Sequence, residues 1–208
     1  LTPIIGVYGA AGCGRGIMPL VRLQYPTALH VFIDDMPASG SVNGHDVMNW
    51  DEFVYLPVEA KFVSIAIANP AIRKRIADKC EHTNIPLIEA RASSAIEMDD
   101  VIIGDGACLS PFVTLTSNIR IGRCLHANLY SYIEHDAQVG NFVTLAPAAK
   151  INGNVTIGDF AYIGAGAVIR QGLTIGSGAT IGMGAVVTRD VPPGATVVGN
   201  PAKILIKE

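Results

Sequence analysis

The chain has 208 residues, half of them hydrophobic, only 16% charged, and a formal net charge of −3. This length suits one or two domains, and the apolar fraction can fill a sizeable core. The charge gives no basic footprint for nucleic acid or an anionic membrane, no apolar run is long enough for membrane insertion, and no charged leader marks a signal peptide.

In chain order, Ile4 to Tyr8 reads as a buried strand, followed by the glycine loop Gly9-Ala10-Ala11-Gly12-Cys13-Gly14. A helix is expected from about Arg15 to Gln24, then a second strand from Leu29 to Ile33 that ends in Asp34-Asp35. A polar loop with Gly40 and Gly44 leads to a short helix near Trp50 to Val54. Phe62 to Ala68 is expected as a third strand, Pro70 as the first turn of a helix that Ala71 to Glu81 continue, and Ile85 to Ile88 as a fourth strand. Strands alternating with helices predict a small Rossmann-like parallel sheet over residues 1–90, an α/β domain. Ligands of such sheets sit outside the carboxyl ends of the strands, where the glycine loop, Asp34-Asp35 and Ala66 to Asn69 converge. The glycines let a ligand approach the backbone, a helix start offers free N–H groups to phosphate, and an acid twenty residues after Gly14 suits a ribose or a base edge. The structural alternative is a plain turn at both places.

Residues 91–102 are polar and acidic and read as a linker or an irregular first coil. From Ile103 to Val187 an aliphatic residue returns every six positions, with only Ala127 undersized. The residue four positions further on is usually small or branched, as at Ala107, Val113 and Ala137. Glycine directly follows the aliphatic residue at Gly104, Gly122, Gly140, Gly158 and Gly176, a second period of eighteen. Six residues make one flat side and three sides one coil, so residues 103–192 predict a parallel β-helix of about five coils. An inward aliphatic column fills its core, each coil buries its face only by stacking on its neighbours, and glycine is expected where the chain turns with unusual dihedrals. Residues 193–208 form a tail that opens near Pro192-Pro193-Gly194.

Cys13, Cys80, Cys108 and Cys124 show no CxxC pairing. No metal is expected, and the thiols suit a reduced, cytoplasmic protein. Cys108 and Cys124 read as small core or turn residues.

One place breaks the low charge of the array: Glu134-His135-Asp136. A carboxylate on one ring nitrogen of His135 would leave the other as a general base near neutral pH, taking a proton from an amine or hydroxyl that attacks an acyl carbonyl. Backbone N–H groups of a neighbouring coil would steady the oxyanion. Glu134 and Asp136 are both candidate partners. The alternative is a solvated turn. His126 lacks acidic flanks, and with His135 it does not make the histidine set of a zinc hydratase.

These stretches carry a resemblance. With Tyr8 to Gly14, Phe32 to Asp35, Ile65 to Asn69, Ile133 to Asp136, Gly153 to Gly158 and Gly199 to Lys203, nearly the whole chain resembles the left-handed β-helix acyltransferases of the sialic-acid O-acetyltransferase type. It is particularly similar to the UDP-N-acetylbacillosamine N-acetyltransferases. The resemblance implies a left-handed helix and acetyl transfer from acetyl-coenzyme A to the 4-amino group of a UDP-linked, or less readily dTDP-linked, 4-amino-4,6-dideoxy sugar. It implies His135 as base and Asp136 as the acid that raises its basicity. It implies Ala11, Gly12, Cys13, Asp34, Asp35, Ala68 and Asn128 as substrate contacts, and Thr144 and Gly153 as coenzyme contacts. It also implies a homotrimer with active sites between adjacent β-helices. Three residues depart from the family pattern: Cys13 and Thr144 stand where histidine is usual, and Ala68 replaces a frequent glycine. Competing readings are an O-acetyltransferase acting on sialic acid or another surface sugar, and a non-catalytic nucleotide-sugar-binding module. A dinucleotide oxidoreductase, suggested by the glycine loop alone, does not suit the hexapeptide array.

Overall fold

The computed structural model describes residues 2–37 and 39–206. The first domain is a five-stranded sheet in the order β3-β4-β2-β1-β5, formed by β1 (Ile4–Tyr8), β2 (Leu29–Ile33), β3 (Ser41–Val42), β4 (His45–Met48) and β5 (Lys61–Ile65). β1 is buried along its whole length, which suits its continuous apolar run, and pairs in parallel with β2 and β5. Three helices accompany the sheet: α1 (Gly12–Gln24), α2 (Trp50–Tyr55) and α3 (Pro70–His82). α2 starts with a capping box, in which Asn49 accepts from the Glu52 N–H and Glu52 accepts from the Asn49 N–H. α3 has Asn69 as its N-cap and proline in its first turn.

Several sequence expectations change. α1 begins at Gly12 and not at Arg15, so half of the glycine loop is the first turn of the helix. Gly14 is needed there because a Cβ would run into the Gly9 carbonyl. The third strand stops at Ile65, and Ile67 and Ala68 turn their carbonyls towards Arg73. The strand expected at Ile85 to Ile88 makes only an isolated bridge, Val63 to Leu87. The polar loop after Asp35 instead folds back as the β3–β4 hairpin, and β4 joins β2 in parallel.

The remainder is a triangular prism. Its first side stacks strands such as Cys108–Leu109, His126–Ala127 and Thr144–Leu145, its second Thr114–Leu115, Tyr132–Ile133 and Lys150–Ile151, and its third Ile119–Ile121, Gln138–Val139 and Thr156–Ile157. From Ala90 to Val187 each strand pairs in parallel with the strand eighteen residues away, as Leu145 does with Ile163, and the last coil shortens this to sixteen, as between Thr180 and Thr196. The stretch expected as linker or irregular coil carries the paired strands Ala90–Arg91, Ile96–Glu97 and Val101–Ile103, one on each side. The aliphatic column forms one continuous core from Leu109 to Val197. Where Ala127 leaves this column thin, the next inward position is Ser131, fully buried, whose hydroxyl donates to the Asn128 carbonyl at 2.7 Å.

The corners separate two roles that the sequence suggested were one. From Asp100 to Gly184 every sixth residue has positive φ, and most of these are not glycine: Asn118, Tyr130, Asp136 and Asn154 are examples. The glycine column Gly104 to Gly176 does not lie in that region. It is glycine because the next coil presses against it: a Cβ on Gly122 would lie 2.8 Å from the Asn141 amide nitrogen. The next-coil side chains close this corner as a ladder, with Asn141 accepting from the Arg123 N–H at 3.0 Å and Asp159 from the Asn141 N–H at 2.7 Å.

Candidate active site

His135 ends the second side of the prism and is exposed. Along a flat strand it and its neighbours would alternate in direction. Asp136 escapes this because it occupies the positive-φ corner (φ 59°), which turns its carboxylate back onto the ring. Asp136 Oδ2 accepts from His135 Nδ1 at 2.8 Å, so Nδ1 carries a proton and, in the neutral ring, Nε2 is the nitrogen with the free lone pair. Asp136 Oδ1 accepts from Asn118 Nδ2 at 3.1 Å. The hydrogen bond from His135, then that from Asn118, holds the Asp136 carboxyl below the usual carboxylate range. Glu134 makes no such contact among the described residues.

Gly153, eighteen residues after His135, lies directly under the imidazole. A Cβ there would fall 2.5 Å from Cε1 and 2.6 Å from Nε2. The ring can lie flat on the next coil only because residue 153 has no side chain. Sequence reasoning missed Asn118, although the eighteen-residue period pointed to it beneath Asp136.

The second cluster lies at the carboxyl end of the first-domain sheet. Ala11 is the N-cap of α1 and makes no side-chain cap, and there is no acid in the first turn. The first-turn N–H groups at Gly12 and Cys13 therefore have no intrahelical acceptor, and the dipole there favours an anion. Burial pushes the Cys13 thiol up, against the Arg73 charge. Asp34 accepts from the Ala10 N–H at 3.2 Å and from the Met36 N–H at 3.0 Å, which ties the glycine loop to the end of β2. Asp35 accepts from the Tyr8 hydroxyl at 2.7 Å, with Lys79 Nζ at 3.4 Å. Burial would raise the Asp35 carboxyl, but Tyr8 and Lys79 outweigh it and hold it low. Burial and the same carboxylate push the Tyr8 phenol up. Lys79 also stands over the Trp50 ring at 5.7 Å. Asp35, Trp50 and Lys79, with Asn49, Glu52 and Tyr55, line a cavity of about 610 Å³. Neither Tyr8 nor Lys79 was singled out from sequence as a site residue.

The other candidates are dispersed. Ala68 is exposed beside the sheet edge, with its carbonyl turned inward to Arg73. Thr144 is buried beneath the first domain, where its hydroxyl accepts from Arg73 Nη2 at 3.0 Å. Asn128 sits at the corner between the first and second sides and donates to the Leu145 carbonyl at 2.8 Å. The first domain rests on the first side of the prism, through His126 to the Ile65 carbonyl and Arg73 to Thr144. His135 stands at the opposite corner, where the second side meets the third. Within one chain the carboxyl edge of the first-domain sheet and the imidazole therefore do not meet. Among the described residues no group of three histidine, cysteine, aspartate or glutamate side chains is placed to hold a metal ion.

Residues 4–80 match the family model of the PglD N-terminal domain, and residues 154–189 match that of the bacterial transferase hexapeptide (six repeats). The chain is 45% identical over 157 residues to a GDP-perosamine N-acetyltransferase of Escherichia coli O157:H7, covering 73% of this chain and 71% of that one. It superposes on WeeI from Acinetobacter baumannii AYE with a TM-score of 0.96 and 48% identity, covering 98% of this chain and 100% of that one. It superposes on the acetyltransferase domain of PglB from Neisseria gonorrhoeae FA1090, in complex with acetyl coenzyme A, with a TM-score of 0.90 and 32% identity, covering 99% and 100%.

Proposed function

Because the chain belongs to the acetyl-coenzyme A-dependent amino-sugar N-acetyltransferases that join a PglD N-terminal domain to a left-handed hexapeptide β-helix, we propose that it acetylates the 4-amino group of a nucleotide-linked 4-amino-4,6-dideoxy sugar, with His135 as general base. The observation that carries the mechanism is the Asp136–His135 pair at 2.8 Å, which supports the neutral tautomer with the proton on Nδ1 and Nε2 free to accept one. As the sugar amine attacks the thioester carbonyl, a C–N bond forms and Nε2 takes the amine proton. The tetrahedral intermediate collapses with loss of the coenzyme A thiolate, and the proton held by the imidazole can neutralise that leaving group. Asp136 orients the ring and stabilises the imidazolium.

The nucleotide end of the substrate would lie on the first domain, with its diphosphate at the start of α1 and its base or ribose near Asp34 and Asp35. Since this edge and His135 face away from each other in one chain, a complete site needs a neighbouring prism, which supports a homotrimer with sites between subunits. Gly153 and Asn128 would meet the coenzyme and the sugar across that boundary. The resemblance favours a UDP sugar. A GDP sugar is the second reading, favoured by the name of the relative from Escherichia coli. A cytoplasmic setting belongs to the same proposal, and no described helix is long and apolar enough to cross a membrane.

The test is thiol release from acetyl-coenzyme A with a panel of UDP-, GDP- and dTDP-linked 4-amino sugars and with sialic acid. Turnover is expected only with a nucleotide-linked amine. Turnover with sialic acid alone would make the protein an O-acetyltransferase, and nucleotide-sugar binding without turnover would make it a binding module.

A further inference from the structure

Arg73, on α3, is the largest fully buried side chain among the described residues. No carboxylate pairs with it there. Its guanidinium instead donates to six acceptors. Nε donates to the Cys124 carbonyl at 3.0 Å, and Nη1 to the carbonyls of Ile67 at 2.9 Å and Ala68 at 3.1 Å. Nη2 donates to the carbonyls of Phe142 at 2.7 Å and Val143 at 3.2 Å and to the Thr144 hydroxyl at 3.0 Å. Every N–H is engaged, so none is left to hold a phosphate.

The acceptors belong to two domains. Cys124, Phe142, Val143 and Thr144 lie on successive coils of the prism. Ile67 and Ala68 lie just beyond β5, at the carboxyl edge of the sheet where a ligand sits. A second contact fixes the same edge: the buried His126 donates from Nε2 to the Ile65 carbonyl at 2.7 Å. A buried charge is a poor way to gain stability, because an apolar side chain of similar volume avoids its desolvation. A planar five-donor fork is, however, suited to holding carbonyls of two domains in one geometry.

We propose that Arg73 is a positioning residue for the transfer reaction: it sets the Ile67–Ala68 edge of the nucleotide-sugar site against the β-helix. The inference rests on the reading that the first domain holds the nucleotide sugar. If the base is on a neighbouring prism, the distance from the sugar amine to that base depends on how each first domain is seated on its own prism. An error of about 1 Å at such a junction can lower the rate by roughly a hundredfold. Thr144 thereby has a role as a partner of Arg73, unlike the coenzyme contact that the resemblance implied.

The experiment compares Arg73→Lys, which keeps the charge and loses the fork, with wild type in steady-state kinetics for each substrate and in amide hydrogen exchange over residues 65–69. Faster exchange there is expected, with kcat/KM for the nucleotide sugar lowered roughly tenfold or more and the KM for acetyl-coenzyme A unchanged. Faster exchange with wild-type sugar kinetics would reduce Arg73 to a structural staple and overturn the proposal. If Arg73→Lys does not fold, Thr144→Val removes one acceptor and leaves the guanidinium in place. It is expected to lower kcat/KM for the sugar by roughly threefold. A raised KM for acetyl-coenzyme A alone would return Thr144 to the coenzyme and contradict the proposal. Wild-type protein that turns over no amino sugar would overturn the functional reading itself, and this inference with it, before any variant is made.

Discussion

At His135 the proposed chemistry depends on one backbone torsion. The acidic flanks were visible in the sequence, but spacing left both carboxylates open and only the resemblance pointed to Asp136, whose positive φ turns its side chain back onto Nδ1. Strand alternation alone cannot show this, because the corner residue leaves the alternating pattern. Replacing His135 with alanine should lower kcat by about 10²–10⁴-fold with little change in the unfolding midpoint, since the ring is exposed and outside the aliphatic column. Asp136→Asn should give a smaller loss and an altered pH–rate profile, and Glu134→Gln should be close to wild type. Gly153→Ala tests the seat of the ring. The added methyl would occupy the place of the imidazole, so kcat should fall towards the His135→Ala level while the chain stays folded. Wild-type turnover in Gly153→Ala would show that the ring has another productive position.

The β-helix was legible as an element because its period is carried by side chains that must face inward. Its corners were less so. Glycine at two different positions in the repeat looked like one feature, yet Gly122 and Gly140 are glycine for want of space and Gly178 for its φ of 67°. Gly140→Ala should therefore cost well over 1 kcal/mol, since its methyl would meet the Asp159 backbone 2.7 Å away. Gly178→Ala, with open space around it, should cost only about 1–2 kcal/mol of left-handed backbone strain. Equal losses by chemical denaturation would undo that distinction. In the first domain the reading was coarser. The β3–β4 hairpin, with few apolar residues, passed for a loop, and Ile85 to Ile88 passed for a strand because it is apolar, although it forms only a bridge. The start of α1 was read late because glycine is a weak helix former, whereas close packing of Gly14 on Gly9 overrides that propensity.

For the whole molecule, the contact between domains predicts a response to acid. Burial first, then the Arg73 charge, pushes the His126 imidazole down to about 3 from 6.5. The unfolded chain therefore takes up this proton before the folded one does. Stability from the neutral buried ring is full above 6.5 and is lost as pH falls from 6.5 towards about 3. Thermal unfolding followed across that range should show a falling midpoint, and His126→Gln should flatten the slope. An unchanged slope would mean that other groups control the acid response.

The proposed division of the site between chains rests on the resemblance and on the placement of His135 away from the first domain, because spacing carries no information on which corner of a prism faces which neighbour. It is tested most directly by subunit complementation. The His135→Ala chain keeps an intact nucleotide edge, and a chain with Asp34→Ala and Asp35→Ala keeps an intact base. Each alone should be nearly inactive with the true substrate. Co-assembled in equal amounts, they should recover roughly a quarter of wild-type turnover, since half of the edges and half of the bases are intact and pair at random around a closed ring. Mixed assemblies, verified by mass, that stay as inactive as their parents would contradict a site shared between neighbouring prisms.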